Sequence, residues 1–457
     1  MRICCWFRRD LRLDDNPAWS HSTQLGDEVL ALFVLDPGLI DRVGDRRRQL
    51  LLGHLAALDR RLRAAGGALV IRHGDPRHVV PATMSEFGID AITYNADVTP
   101  YAQQRDDGLF PSLPTPAHPH WGTLVHPPGT VLTQKGSLSR VFTPFHRAWA
   151  ATPFETWPAP AATCVLGASE PPPPSPSPGP IIEPGEDAAH ERLTSWLERV
   201  DDYEHIRDAP GEDGTSRLSA DLRFGTISPR EVLHRVGDHT SGRAAFTRQL
   251  AWRDWYAHTT HIRPDIAAVA IRAEYDGIEW QHDPDGYQAW TRGRTGYPIV
   301  DAGMRQLADS GFMHNRVRMI TASFLVKDLL IDWRLGERHF RRHLLDGDVA
   351  QNAGNWQWVA GTGLDAAPYF RVFNPITQSR KFDPHGSYIR RWVPELAELD
   401  DRSIHWPADL GPRELAAAGI DYPQPIVDHG SARQRALAAY AAARTQAKCG
   451  REVEPDH

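Results

Sequence analysis

Apolar positions in the first 130 residues fall into short runs separated by amphipathic stretches. Ile3–Phe7, Val29–Leu35, Ala68–Ile71 and Ala91–Tyr94 read as buried strands. Between the second and third, Arg47–Ala65 spaces Leu51, Leu55, Leu58 and Leu62 along one helical face and stops at Gly66–Gly67. Strand–helix alternation of this kind implies a doubly wound parallel sheet, so residues 1–130 are expected to form an α/β domain. No GxGxxG follows the first strand, so an ordinary dinucleotide seat is not indicated there.

Residues 131–190 read as a connector. Its centre, residues 171–180, is Pro-Pro-Pro-Pro-Ser-Pro-Ser-Pro-Gly-Pro, which cannot form helix or sheet and is expected to run extended on the surface. From about His190 the periodicity becomes helical. Leu193, Trp196, Leu197 and Val200 share a face, and similar patterns recur to Ala447. Residues 191–447 are therefore expected to form an all-α domain, with 448–457 as a polar tail, and no internal repeat is visible.

Composition changes this picture little. With 457 residues, 41% hydrophobic and 24% charged, the chain reads as a soluble protein of two or three domains. No apolar run approaches the roughly 18 residues of a membrane span. The N-terminus becomes charged by Arg8, without a signal-peptide apolar region, so a cytoplasmic protein is expected. Cys4, Cys5, Cys164 and Cys449 show neither disulfide-framework nor zinc spacing. The formal charge of −7 does not suggest nucleic acid, which would need a local basic surface. Arg217–Arg253 and Arg371–Arg391 could supply one, or could be ordinary solvated faces.

Two segments carry candidate chemistry. Gly214–Ser219 puts hydroxyls beside a helix start next to Arg217, which suits a phosphate; helix capping by Thr215 or Ser216 explains it as well. Asp346–Trp358 packs two carboxylates, four carboxamides and two indoles into thirteen residues. Asparagines usually mark turns, so a loop is the plain expectation. Buried carboxamides need partners, however, and an isoalloxazine edge offers donors and acceptors. Ten of the fifteen tryptophans lie beyond Glu191; they serve as core or, if arranged in sequence, as a redox relay. Hydrolytic and metal-ligand patterns are absent, and no metal is expected.

Trp6-Phe-Arg-Arg-Asp-Leu-Arg-Leu-Asp-Asp-Asn16 resembles the opening of the photolyase/cryptochrome family. Gly293–Asp301, Met313–Asp328 and Asp365–Pro375 resemble its flavin domain almost throughout. The resemblance implies an α/β domain joined to a helical domain that holds FAD in a folded conformation. It places Tyr203 and Thr215, Ser216, Arg217, Leu218 and Ser219 at the FAD phosphates and ribityl chain, with Arg253 also near the cofactor. Asp346, Asp348 and Val349 match positions around the flavin ring and adenine, and Asn352 matches the residue facing flavin N5. A neutral amide there can accept from a protonated N5, and Arg316 near the ring would favour an anionic reduced flavin.

The same resemblance implies an electron relay of Trp356, Trp333 and Trp280, from flavin to surface. Trp252 matches the indole that stacks on the extruded lesion, with Trp358, Asn315 and Met319 around it. Arg207, Arg253, Gln378 and Lys381 become DNA contacts. Asn315 and Met319 stand where 6-4 photolyases carry paired histidines, so the pattern is similar to the branch that splits cyclobutane pyrimidine dimers in UV-damaged DNA. Gln249 departs from that branch, which usually has Glu there. A cryptochrome-type photoreceptor or a 6-4 photolyase are the other readings. Asp36, Arg47, Asp97 and the surrounding Ala96–Tyr101 resemble members that use an 8-hydroxy-5-deazaflavin antenna rather than methenyltetrahydrofolate. A monomer is expected.

Overall fold

A computed structural model describes residues 1–161, 163–167 and 182–452, apart from the side chains of 449–452. The proline-rich centre of the connector lies outside the described residues. The chain forms two compact units. The first comprises Met1–Glu204, Ser216–Pro264 and Leu345–Ala350; the second comprises His205–Thr215, Asp265–Leu344 and Gln351–His457.

The first unit is built on a parallel sheet of β1 (Arg2–Phe7), β2 (Glu28–Leu35), β3 (Val70–His73), β4 (Ala91–Asn95) and β5 (Ala117–His120), in the order β3-β2-β1-β4-β5. A short β6 (Cys164–Leu166) pairs with Glu28–Leu30 on β2. Side chains alternate between faces. Ile3, Cys5, Phe7, Val29, Ala31 and Phe33 pack with Leu50, Leu55, Leu58 and Leu62 of α2 (Asp45–Ala64), α1 being Pro17–Leu25. Cys4, Trp6, Leu30, Leu32 and Val34 turn the other way, onto Val80 and Met84 of α3 (Pro76–Phe87) and Leu109 of α4 (Pro100–Leu109). Both faces are thus covered, which is why the strands read as unbroken apolar runs.

The connector is more structured than its composition suggests: α5 (Phe142–Ala151) and β6 both fall within it. The first unit continues with α6 (Glu186–Leu197), α7 (Ser219–Phe224), α8 (Pro229–Val236) and α9 (Ser241–Ile262). In the opening motif Asp10 and Arg12 are fully buried. Arg12 donates to the carbonyls of Asp15, Gly122 and Gly225, which explains a buried guanidinium without a carboxylate partner at those atoms.

The second unit is helical, with no strand among its described residues. Its principal helices are α10 (Pro284–Arg292), α11 (Pro298–Ser310), α12 (Asn315–Ser323), α13 (Trp333–His343), α14 (Val349–Ala360), α15 (Pro375–Phe382), α16 (Ser387–Trp392) and α17 (His429–Glu452). Helix α17 runs through Lys448, where a tail was expected to begin, and residues 453–457 lie outside the described chain.

A second correction concerns Asp346–Trp358: most of it is helix α14, not a loop. The carboxamides of Asn352 and Gln357 bond to other segments, away from the helical ladder, and so do not compete with it. Gln357 donates to the carbonyls of Ile266 and Val269, and Asn352 donates to Glu337. Asn355 bonds back to the carbonyl of Gln351. Ala350, Ala353 and Ala360 add helix propensity.

Candidate functional site

In the second unit, α13 carries Trp333 and α14 carries Trp356, two of the three relay candidates, while Trp280 precedes α10. Asn352 Nδ2 donates to the backbone oxygen of Glu337 at 2.8 Å and to its Oε1 at 2.9 Å. Glu337 is fully buried; burial raises its carboxyl pKa, against the pull of Arg341 and Asn352. Because the backbone carbonyl only accepts, the amide is held with nitrogen toward Glu337 and Oδ1 turned away. Trp356 and Trp333 belong to one buried aromatic and aliphatic cluster, and half-buried Trp280 packs against it. The Trp356 ring lies on Gly336, where an added Cβ would stand 2.2 Å from Cη2. Asp332 caps α13 through the amide of Arg334, and the Arg334 guanidinium sits 5.0 Å from the Trp333 ring centre.

His314 caps α12 by accepting from the amide of Arg316, which accounts for the His in the Met-His-Asn-Arg motif. Asn315 and Met319 follow one turn apart and touch, Nδ2 to Sδ at 3.9 Å. Arg316 meets Asp208 at 2.9 Å and stacks over Phe382 at 4.2 Å. Its charge is thus partly balanced by a carboxylate that the sequence reading did not foresee. Half-buried Trp358 packs on the main core of this unit. Gln378 and exposed Lys381 lie one turn apart on α15, while Arg207 is half-buried and Thr215 follows the tightly packed Gly214.

In the first unit Trp252 stacks on Phe142 of α5, centroids 3.6 Å apart and planes 9° from parallel. One indole face is therefore backed by a buried ring, while Trp252 keeps partial exposure. Gln249 donates to the carbonyl of Ala245 at 3.0 Å, a turn earlier on α9. Arg253 spends its fork on the carbonyls of Thr123 and Leu222. Tyr203 packs edge-on against Trp196 and Phe246. Ser216, Leu218 and Ser219 lead into α7 around Arg217, whose φ of 55° is in the left-handed region. A non-glycine residue held there costs free energy and often marks a ligand turn.

Asp346 is half-buried, Asp348 is buried, and Val349 opens α14. Asp348 accepts from Arg9, which also grips Asp97 at 3.1 Å. Asp36 caps the amide of Gly38 and accepts from Tyr101. Asp36 is thus brought onto Tyr101 of the Ala96–Tyr101 segment. Arg47 points elsewhere: buried, it donates to the carbonyl of Gly347 at 2.9 Å.

Within each unit the donor set suits a flavin nucleotide. The free carbonyl end of Asn352 can accept from a ring N–H, and the strained turn at Arg217 and the hydroxyls beside it suit phosphate. Sequence reasoning missed Glu337, Phe142 and Asp208, whose roles depend on distant partners. Gly336 left a signal, an isolated glycine inside a helical pattern, which usually marks close packing. Among the described residues no group of His, Cys, Asp or Glu could hold a metal ion, and no helix is long and apolar enough to cross a membrane.

Two sequence profiles match the chain: "DNA photolyase" over residues 3–161 and "FAD binding domain of DNA photolyase" over residues 246–442. The deoxyribodipyrimidine photo-lyase of Agrobacterium fabrum is 40% identical over 468 residues, covering 96% of this chain and 98% of that protein. A bacterial class III photolyase from Agrobacterium tumefaciens superposes with a TM-score of 0.89 at 39% identity, covering 97% of this chain and 98% of that one. An archaeal photolyase from Sulfolobus tokodaii with two FAD molecules gives 0.85 at 32%, covering 97% and 100%. A cryptochrome of Synechocystis gives 0.88 at 29%, covering 96% and 99%. With a parallel α/β part, a helical flavin-type part and these likenesses over nearly its full length, the chain belongs to the DNA photolyase family.

Proposed function

We propose that this protein repairs cyclobutane pyrimidine dimers in UV-damaged DNA under blue light. When bound, reduced FAD supplies the photoexcited electron that opens the cyclobutane ring and takes it back afterwards. The observation that carries the substrate choice is the contact between Asn315 and Met319 on α12. Neither side chain can relay a proton as paired histidines would, which suits ring splitting by electron transfer alone. Trp252, backed by Phe142, offers a flat surface for an extruded base. Gln249 and Trp358 flank the lesion, and Arg207, Gln378 and Lys381 contact the strand.

Asn352, its amide nitrogen held by Glu337, would present its carbonyl to the flavin ring. Tyr203, the turn from Thr215 to Ser219, Arg253, Arg316 and the Asp346–Val349 segment bind the rest of the cofactor. With FAD bound, Trp356, Trp333 and Trp280 would serve as the path along which electrons from an external reductant reach it. The order of burial along these three, two buried and one half-buried, supports that direction. We assign light harvesting to residues 1–130, with Asp36 and Asp97 serving an 8-hydroxy-5-deazaflavin in preference to methenyltetrahydrofolate, while Arg47 holds the carbonyl of Gly347 instead. Catalysis belongs to 191–447, the protein acts as a monomer, and its place is the cytoplasm. The test is direct. Photoreduced protein is mixed with a dimer-containing oligonucleotide and illuminated with blue light; intact dimers after illumination would sink the assignment.

A further inference from the structure

Arg9 leaves the carboxyl end of β1 where the strand order reverses, between β1 and β4. In open parallel sheets that crevice is the usual ligand seat. Here a guanidinium enters it. Arg9 Nη1 lies 3.2 and 3.1 Å from the two carboxylate oxygens of Asp97, just beyond β4, and Nη2 donates to Asp348. Arg47 Nη1 and Arg223 Nε close on the adjacent carbonyl of Gly347, at 2.9 and 3.1 Å. Leu345 is buried in the core shared by β1, β2 and α2. The segment Leu345–Ala350 is thereby packed into the first unit, although the residues on either side of it in sequence belong to the second.

The arrangement is charged and tight. Side-chain exposure is 19% for Arg9 and 10% for Asp348. Burial alone would push Arg9 down and Asp97 up, yet their mutual attraction reverses both shifts. A guanidinium is a planar fork with fixed angles between its donors. Asp97 cannot shift without turning that fork, and the end on Asp348 turns with it. Asp97 is itself anchored by the amide of Thr99 at 3.0 Å, which ties its carboxylate to the start of α4.

We propose that Arg9 is a positioning residue that couples the Ala96–Tyr101 segment to Asp348, so that the state of that segment sets how firmly the protein holds FAD. This rests on Asp348 being a flavin-site residue, as proposed above. Linkage makes the coupling reciprocal: a chromophore that draws on Asp97 alters FAD retention, and bound FAD alters affinity for that chromophore by the same factor.

The test uses full-length protein loaded with FAD, following its release by the recovery of free-flavin fluorescence after dilution. Arg9→Met is expected to release FAD on the order of ten-fold faster, Arg9→Lys to restore part of the retention, and Asp97→Asn to loosen FAD as well. In the doubly substituted protein the two effects should not multiply, because both break one bridge. A lysine rescue and a non-multiplying pair are not what a general loss of stability produces. Wild-type release rates in both Arg9→Met and Asp97→Asn, or effects that multiply, would overturn the coupling. If Arg9→Met fails to fold, Arg9→Lys and Asp97→Asn decide by the same comparison. Failure of the unsubstituted protein to retain FAD would overturn the flavin reading and the coupling together.

Discussion

Asn352 faces Glu337 with its amide nitrogen, bonding both the backbone carbonyl and the carboxyl group of that residue. Substituting Glu337 by Gln keeps an acceptor for the amide, whereas Leu leaves one buried N–H without a side-chain partner. Glu337→Leu is expected to cost about 1–3 kcal/mol in urea unfolding, and Glu337→Gln less. Burial raises the carboxyl pKa in the fold, so the folded chain favours the neutral form more than the unfolded chain does. Its contribution to stability is fully present below the unfolded value and is lost as pH rises through the folded value. Glu337→Gln should remove that part of the pH dependence.

Lys327 gives the opposite sign. Its Nζ lies 3.1 Å from the carbonyl of Ala360 and 3.5 Å from the Tyr440 ring centre, and burial lowers its pKa to about 7. The unfolded ammonium keeps its proton to about 10.4. Between these values the unfolded chain binds more protons, so stability rises with pH, by at most about 1.4 kcal/mol per pH unit. Denaturant unfolding from about pH 6 to about pH 9 should show this rise, and Lys327→Met should flatten it.

Gly336 decides where the Trp356 ring can rest. An alanine there would gain about 1 kcal/mol of helix propensity. Its Cβ would stand 2.2 Å from Trp356 Cη2 and 2.6 Å from Leu325 Cδ2, an overlap expected to cost about 1–3 kcal/mol. Gly336→Ala should therefore destabilise the protein on balance and slow light-driven flavin reduction, measured by thermal unfolding and by absorbance under blue light.

Trp333 separates two uses of the same cofactor. If it relays electrons only to restore reduced flavin, Trp333→Phe blocks light-driven reduction but leaves repair by chemically pre-reduced protein intact. Loss of repair in pre-reduced Trp333→Phe protein would contradict the relay role.

Trp252 makes a prediction for DNA alone. Removing the indole in Trp252→Ala exposes the buried Phe142 ring and removes a stacking surface. Affinity for dimer-containing DNA should fall by about 1–3 kcal/mol in an anisotropy titration, with affinity for undamaged DNA little changed.

Strands β1 to β4 were legible because both sheet faces are covered, leaving continuous apolar runs. Strand β5 was not: Ala117-His-Pro-His120 is an edge strand with no apolar run and a proline inside. Helix α14 was hidden for a different reason. Asn352, Asn355 and Gln357 argue for a turn by propensity, and the acceptors that satisfy Asn352 and Gln357 lie on other segments. The tryptophans proposed as a relay were singled out by family resemblance, whereas Glu337 was not, since nothing in its own helix announces a partner fifteen residues later. Arg47 and Asp97 were singled out by resemblance, as antenna candidates. What the sequence hides is that both reach the Leu345–Ala350 segment, Arg47 directly and Asp97 through Arg9.

That short segment has a bearing on biosynthesis. The α/β unit contains residues from Met1 to Ala350, with the bulk of the helical unit's early helices encoded in between. Domains usually fold as they emerge from the ribosome, the N-terminal one first. Here the first unit emerges early but is closed late: Arg9, Arg47 and Arg223 wait for Asp348 and Gly347 until most of the chain has been translated. Completion of the N-terminal fold is thus timed by the synthesis of the segment proposed to touch the cofactor.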